Sequence, residues 1–140
     1  MPSKGQMTGM RGVYLVAAEL SRLGFIVSPT SRSAAGADLL VTNHSCSRAF
    51  SLQVKTNART FGFWLVGRKA LEVKARNHIY VLLNLRQKLG KDEHEFFVVP
   101  SLRLAKLTHR HVRARSTWYA VQKDSIRQYR NGWKVFGNPD

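Results

Sequence analysis

From Ala49 to Thr56 the chain alternates in character: Phe50, Leu52 and Val54 are apolar, and Ser51, Gln53 and Lys55 are polar. A period of two is the mark of a β-strand with one face on a core. The segment therefore predicts a strand that turns Phe50, Leu52 and Val54 inward and presents Gln53 and Lys55 side by side on the opposite face. Asp38 to Thr42 is a second strand candidate with Asp38 at its start, and Asn43 to Ser47 between them has turn chemistry. Paired as a hairpin, the two strands would bring Asp38 towards Gln53 and Lys55 at the rim of a sheet.

The surrounding chain reads as a mixed α/β or α+β domain. Val13, Val16, Ala17, Leu20 and Leu23 fall at helical spacing, which predicts an amphipathic helix over Arg11 to Leu23, stopped by Gly24. Glu19 sits at the edge of its apolar stripe, and Met1 to Met10 ahead of it reads as a flexible basic lead. Phe25 to Ser28 is a short strand ended by Pro29, and Ser31 to Gly36 is a loop. Phe61 to Val66, His78 to Leu85, Glu95 to Val99 and Trp118 to Val121 are further strands, with a polar turn over Gln87 to Glu93. A short helix is expected over Arg68 to Arg76. Another, capped by Ser101, should run to about Leu107, and a C-terminal helix capped by Asp124 should carry Ile126 and Tyr129. The 140 residues suit one domain around a central sheet flanked by helices.

Charge narrows the partner. Lys and Arg total 23 against 8 Asp and Glu, for a net charge of +15. A field of that size favours a polyanion, and counterion release makes nucleic acid the natural one. No apolar run approaches the ~20 residues of a membrane span, and no long basic amphipathic helix suggests a membrane surface. Cys46 is the sole cysteine, which excludes an intrachain disulfide and a cysteine-based zinc site. A cytoplasmic protein is the simplest expectation. Up to residue 71 the only acids are Glu19 and Asp38, so each invites a specific explanation.

The segments VAAELSRLGFIVSPTSRSAAGADLLV and SLQVKT resemble the PD-(D/E)xK nuclease superfamily, which includes restriction endonucleases and Holliday-junction resolvases. Its core is an acid at a strand start, then acid-x-Lys on the next strand, often with a Glu on the first helix. Ala37-Asp38 stands where Pro-Asp would be, and Gln53-Val54-Lys55 stands where Glu-x-Lys would be. Gln53 for an acid removes one negative charge, although an amide oxygen remains. The resemblance implies a restriction-endonuclease-like core and a hydrolase that cuts DNA with Mg²⁺ or Mn²⁺, either endonuclease or resolvase-like. Asp38 would be the principal metal ligand, the Gln53 amide oxygen and the Val54 carbonyl further ligands, and Glu19 the replacement carboxylate. Lys55 would orient or help deprotonate the attacking water and offset phosphate charge. Many relatives act as dimers, so a homodimer is possible.

Other residues carry weaker signals. Ser31, Arg32 and Ser33 precede the site and are candidates for holding a phosphate; Asn57 and Arg59 follow Lys55 and are candidate backbone contacts. Arg103 to Arg115 has five Lys or Arg and no acid, which suggests phosphate contacts by Arg110, Arg113 and Arg115 rather than a metal pair at His109 and His111. His44, His78 and His94 have no ligand spacing. Trp64, Trp118 and Trp133 suit packing first and base stacking second. Two other functions fit the charge: a catalytically silent DNA-binding module that keeps the nuclease fold, and a small basic RNA-binding protein.

Overall fold

A computed structural model describes residues 1–31 and 36–140. The first element, α1 (Lys4–Arg22), begins well before Arg11. Ser3 Oγ accepts the Gln6 amide N–H at 3.1 Å, and Gln6 Oε1 accepts the Ser3 N–H at 2.8 Å. This reciprocal capping box satisfies two otherwise orphaned donors, so the expected flexible lead is instead the first turns of the helix.

The strands β1 (Ile26–Pro29), β2 (Leu39–Thr42) and β3 (Ala49–Asn57) follow as an antiparallel meander. After β4 (Phe63–Leu65) and α2 (Lys69–Glu72), shorter than the expected Arg68–Arg76 helix, β5 (His78–Asn84) returns to pair in parallel with β3. A small hairpin, β6 (Gln87–Lys88) and β7 (Lys91–Asp92), replaces the expected turn and leads to β8 (Glu95–Pro100), antiparallel to β5. The central sheet thus has the order β1-β2-β3-β5-β8. Next come α3 (Ser101–Leu107), β9 (His109–Arg113) and β10 (Ser116–Gln122); β4, β10 and β9 form a second antiparallel sheet. Sequence reading missed β9, whose five residues are all exposed and carry no burial pattern.

Each face of the central sheet has its own core. On one face α1 packs Val16 and Leu20 against Leu39, Leu52, Ile79 and Val81. On the other, Trp64 and Val121 of the second sheet meet Tyr80, Leu82, Phe97 and Leu104. β5 is buried throughout because it feeds both cores from alternate residues. The region after β10 is three short 3₁₀ turns (Lys123–Ser125, Arg127–Tyr129, Trp133–Phe136), not the expected α-helix. It runs past the outer edge of β8, where Arg130 bridges Phe97. Ile126 drops into one core and Phe136 into the other, which a single straight helix could not seat. Asp124 pairs with Arg127 at 2.6 Å. Ser101 likewise does not cap α3; its hydroxyl donates to the Ala75 carbonyl at 2.7 Å and accepts the Ala75 N–H at 3.1 Å.

Two contacts fix the geometry of this frame. Gly12 lets α1 approach β3 so closely that a Cβ there would overlap the Thr56 side chain. Glu95, buried on β8, accepts from Lys123 Nζ at 2.9 Å and from Asn84 Nδ2 at 3.4 Å; Asn84 Oδ1 in turn accepts from Asn57 Nδ2 at 2.9 Å. The network ties the ends of β3, β5, β8 and β10 together.

Gly12→Ala should lower unfolding stability by about 1–3 kcal/mol in urea titration, since the overlap forces helix and strand apart. Burial alone would raise the Glu95 pKa, but the Lys123 hydrogen bond and charge, then Asn84 and Arg130, hold it below the ordinary 4.5. A depressed carboxylate contributes stability that is present at neutral pH and lost as pH falls through 4.5 and below. Glu95→Gln, which leaves Lys123 without its counter-charge, should cost about 3 kcal/mol at pH 7, and its deficit against the wild type should shrink in acid.

Candidate active site

Ladder pairing between β2 and β3 stops at Leu39 opposite Leu52. One residue earlier the Asp38 N–H still donates to the Leu52 carbonyl at 2.7 Å, and the Thr30 N–H donates to the Asp38 carbonyl at 2.9 Å, so the Asp38 backbone is held from both sides. Beyond this point β3 continues without its neighbour, and the Val54 N–H on that edge needs a new acceptor. The Asp38 side chain provides it: Oδ2 accepts the Val54 N–H at 2.8 Å and Gln53 Nε2 at 3.1 Å. Among the described residues no hydrogen bond reaches Oδ1. In an extended strand the N–H and C=O of one residue point to the same edge, so the Val54 carbonyl faces the same fork.

A cavity of about 450 Å³ opens over this fork, lined by Gln6, Met10, Tyr14, Ser31, Asp38 and Gln53. Gln53 also lines a cavity of about 290 Å³ on the other side, with Lys55, Arg68, Lys69, His78 and Tyr80. Gln53 is therefore the divider between an acidic and a basic compartment. Lys55 follows on the same face of β3 and borders a third cavity, of about 320 Å³, with Phe61, Phe63 and Leu65. His78 accompanies Lys55 with its Nδ1 2.7 Å from Ser51 Oγ. Burial pushes the His78 pKa down, against the opposing effect of Ser51, and burial pushes the Tyr80 hydroxyl up. Sequence reading did not connect His78 or Tyr80 with Lys55, because the contact depends on the parallel pairing of β3 with β5.

The structure brings Asp38, Gln53 and Val54 together and sets Lys55 one compartment away, but it does not bring Glu19 to them. Glu19 lies near the C-terminal end of α1, bound to Arg22 at 2.6 Å, and the Arg22 hydrogen bond holds its carboxyl below the usual range. The α1 residues that line the Asp38 cavity run from Gln6 to Tyr14, and Glu19 lies beyond them, about 7.5 Å past Tyr14 along the axis at ~1.5 Å per residue. The early start of α1 is the reason: the helix meets the fork with the stretch from Gln6 to Tyr14, ahead of Glu19. Ser31 lines the Asp38 cavity, whereas Arg32 and Ser33 lie outside the described residues. Asn57 is not poised as a backbone contact; its Nδ2 donates to the Phe63 carbonyl and to Asn84, both at 2.9 Å. The Arg59 guanidinium lies 5.0 Å from the Phe61 ring centroid, while Arg110, Arg113 and Arg115 are exposed on or beside β9.

The donor set has one carboxylate. Among the described residues there is no group of three His, Cys, Asp or Glu side chains that could hold a metal. Mg²⁺ tolerates this, since it commonly binds one or two carboxylates, keeps several waters and takes other oxygens from the substrate phosphate. Asp38 Oδ1 and the Val54 carbonyl fit such a site. Gln53 fits it only if its amide turns to present Oε1, because Nε2 now faces Asp38.

The sequence matches no family model and no curated protein. Solved structures do resemble it. The bacterial homing endonuclease I-Ssp6803I aligns with a TM-score of 0.59 and 15% identity, over 96% of this chain and 91% of that one. A Holliday junction resolvase, Hjc, from the archaeal hyperthermophile Archaeoglobus fulgidus aligns with a TM-score of 0.53 and 12% identity, over 86% and 88%. The chain thus has the mixed α+β fold of these nucleases, the restriction-endonuclease-like core.

Asp38→Asn keeps an acceptor for the Val54 N–H and should unfold at nearly the wild-type urea concentration. Asp38→Ala strands that donor and should cost about 1–3 kcal/mol. Equal losses in both variants would mean that the charge, not the acceptor, holds the fork.

Proposed function

We propose that this protein is a metal-dependent nuclease that hydrolyses DNA phosphodiester bonds, as an endonuclease or a resolvase-like enzyme. The observation that carries this reading is the fork itself. A carboxylate at the split of two strands stands beside Gln53 and the Val54 carbonyl, with Lys55 behind, in a chain of net charge +15. Its support comes from the fold shared with a homing endonuclease and a Holliday junction resolvase.

Asp38, with the Val54 carbonyl and Gln53, would hold Mg²⁺ or Mn²⁺. When bound there, such an ion would supply Lewis-acid chemistry toward the phosphate and the attacking water. The remaining work falls to the chain. Lys55 holds the attacking water in position from the basic compartment and offsets charge gathering on the phosphate. Arg68 and Lys69, on the same cavity wall, attract the adjoining phosphates. A homodimer would present two such sites to two strands, and a cytoplasmic location fits a DNA substrate.

A catalytically silent DNA-binding module is the second reading. The Gln53 amide favours it, because it donates to Asp38 where an acid would add charge. The two readings part on cleavage. With Mg²⁺ or Mn²⁺ the wild type should cut duplex or branched DNA. Asp38→Asn and Lys55→Ala should each lower the rate at least about a hundredfold while retaining DNA binding, and Glu19→Ala should cut normally. Failure of the wild type to cut duplex, branched or single-stranded DNA with either metal would leave the silent module.

A further inference from the structure

The outward face of the second sheet carries large apolar side chains in the open. Register places Phe63 opposite Gln122, Leu65 opposite Ala120, and His111 opposite Trp118, so Phe63, Leu65 and Trp118 share one face. The opposite face carries Trp64 and Val121 into the core. The outward side chains stay open to water: Phe63 is 44% exposed, Leu65 57% and Trp118 36%. Contiguous apolar surface of this kind on a charged protein marks a contact site.

Cations flank the rings. The Arg113 guanidinium lies 5.3 Å from the Trp118 ring centroid, and the His111 ring lies 6.3 Å from it on a shallow tilt. At the other end Arg59 covers Phe61, whose ring is 6.4 Å from Phe63. Between Glu95 and Asp124 the chain has no acid, while Arg103, Lys106, Arg110, Arg113 and Arg115 are basic; Lys123 is committed to Glu95. An apolar protein partner would leave this charge unmatched, and an acidic one would match the charge but offer no regular series of flat groups to the rings. A polyanion with flat apolar groups at intervals matches both the charge and the rings, and single-stranded nucleic acid has that chemistry.

We propose that this face, from Phe61 and Phe63 to Trp118, is a stacking platform for an unpaired strand of DNA, and that the substrate of the neighbouring site carries such a strand. The two ends of the platform are marked by Gln122 and Trp118, four residues apart on β10 and roughly 13 Å at ~3.4 Å per residue. The platform reaches the site directly, because Phe61, Phe63 and Leu65 share a cavity with Lys55. A base stacked on Phe63 would place its own phosphate, or the next, beside that lysine. Paired bases keep their faces inside the duplex and could not use the rings. The proposal rests on the nucleic-acid reading above, but not on cleavage.

The test is equilibrium binding in EDTA, read by tryptophan fluorescence. Trp64 is buried and Trp133 packs against Phe96 at 5.6 Å on the core that α1 covers, so Trp118 is the indole placed to report stacking. Titration with oligo-dT should quench the emission, and a duplex bearing a single-stranded branch should bind more tightly than the unbranched duplex. Trp118→Ala should abolish most of the quench and weaken oligo-dT binding about tenfold, leaving unbranched duplex binding unchanged. Trp118→Phe should restore the affinity without the quench. Equal weakening for oligo-dT and duplex, or no quench in a wild type that binds DNA, overturns the proposal. A change in sedimentation with Trp118→Ala, without loss of oligo-dT affinity, would assign the face to a second copy of the chain. Loss of metal-dependent cutting alone would not touch these readouts.

Discussion

The geometry of the site depends on how one strand is left without its neighbour. Where β2 stops, β3 continues with an unpaired N–H at Val54, and the Asp38 carboxylate takes the place of the missing strand by accepting it at 2.8 Å. Without such an acceptor the fork would close by pairing or open to water. With it, an ionisable group is fixed at the sheet edge, its Oδ2 engaged by the chain. The strand split thus supplies structural cause and chemical opportunity together. The close approach of α1, permitted by Gly12 against Thr56, then forms the far wall of the Asp38 cavity.

The same split separates two kinds of charge. Gln53 borders both compartments, with Asp38 on one side and Lys55, Arg68 and Lys69 on the other. Since side chains of β3 alternate, Leu52 and Val54 face α1 while Gln53 and Lys55 face the second sheet. The backbone of Val54 therefore serves the fork while its side chain serves the core. A phosphate lying across Gln53 would meet a cationic wall and a carboxylate edge at once.

Much of this was legible in the sequence because period-two patterning is a local signal. Phe50, Leu52 and Val54 fixed the faces of β3, and the turn at Asn43 to Ser47 fixed its pairing with β2. The failures came where the decisive contact is distant or small. Glu19 looked suitable because it borders an apolar stripe, but stripe position gives the angle around a helix and not the height along it. Height depended on the helix start, set by a two-residue reciprocal cap at Ser3 and Gln6 within a stretch that has little apolar periodicity. Asp124 looked like a helix cap until Ile126 and Phe136 were claimed by different cores. β9 has no buried residue, so no pattern announced it, and its existence follows only from pairing with β10.

Under the proposed function, an amide at Gln53 where an acid could stand bears on what the substrate would contribute. Two carboxylates side by side would attract a divalent ion without help from a substrate. With Asp38 alone, the fixed negative charge is a single unit set near Lys55 and Lys69, with Arg68 paired to Glu72 at 2.7 Å, a balance that disfavours a free cation and favours an anion. If the protein is the nuclease proposed above, a DNA phosphate would supply the further anionic ligand, and metal affinity would rise with DNA present. By reciprocity of linkage the metal must raise DNA affinity by the same factor. Under the proposed function, a domain of net charge +15 would tolerate a single-carboxylate site, because its basic surface would draw in the phosphate before the ion.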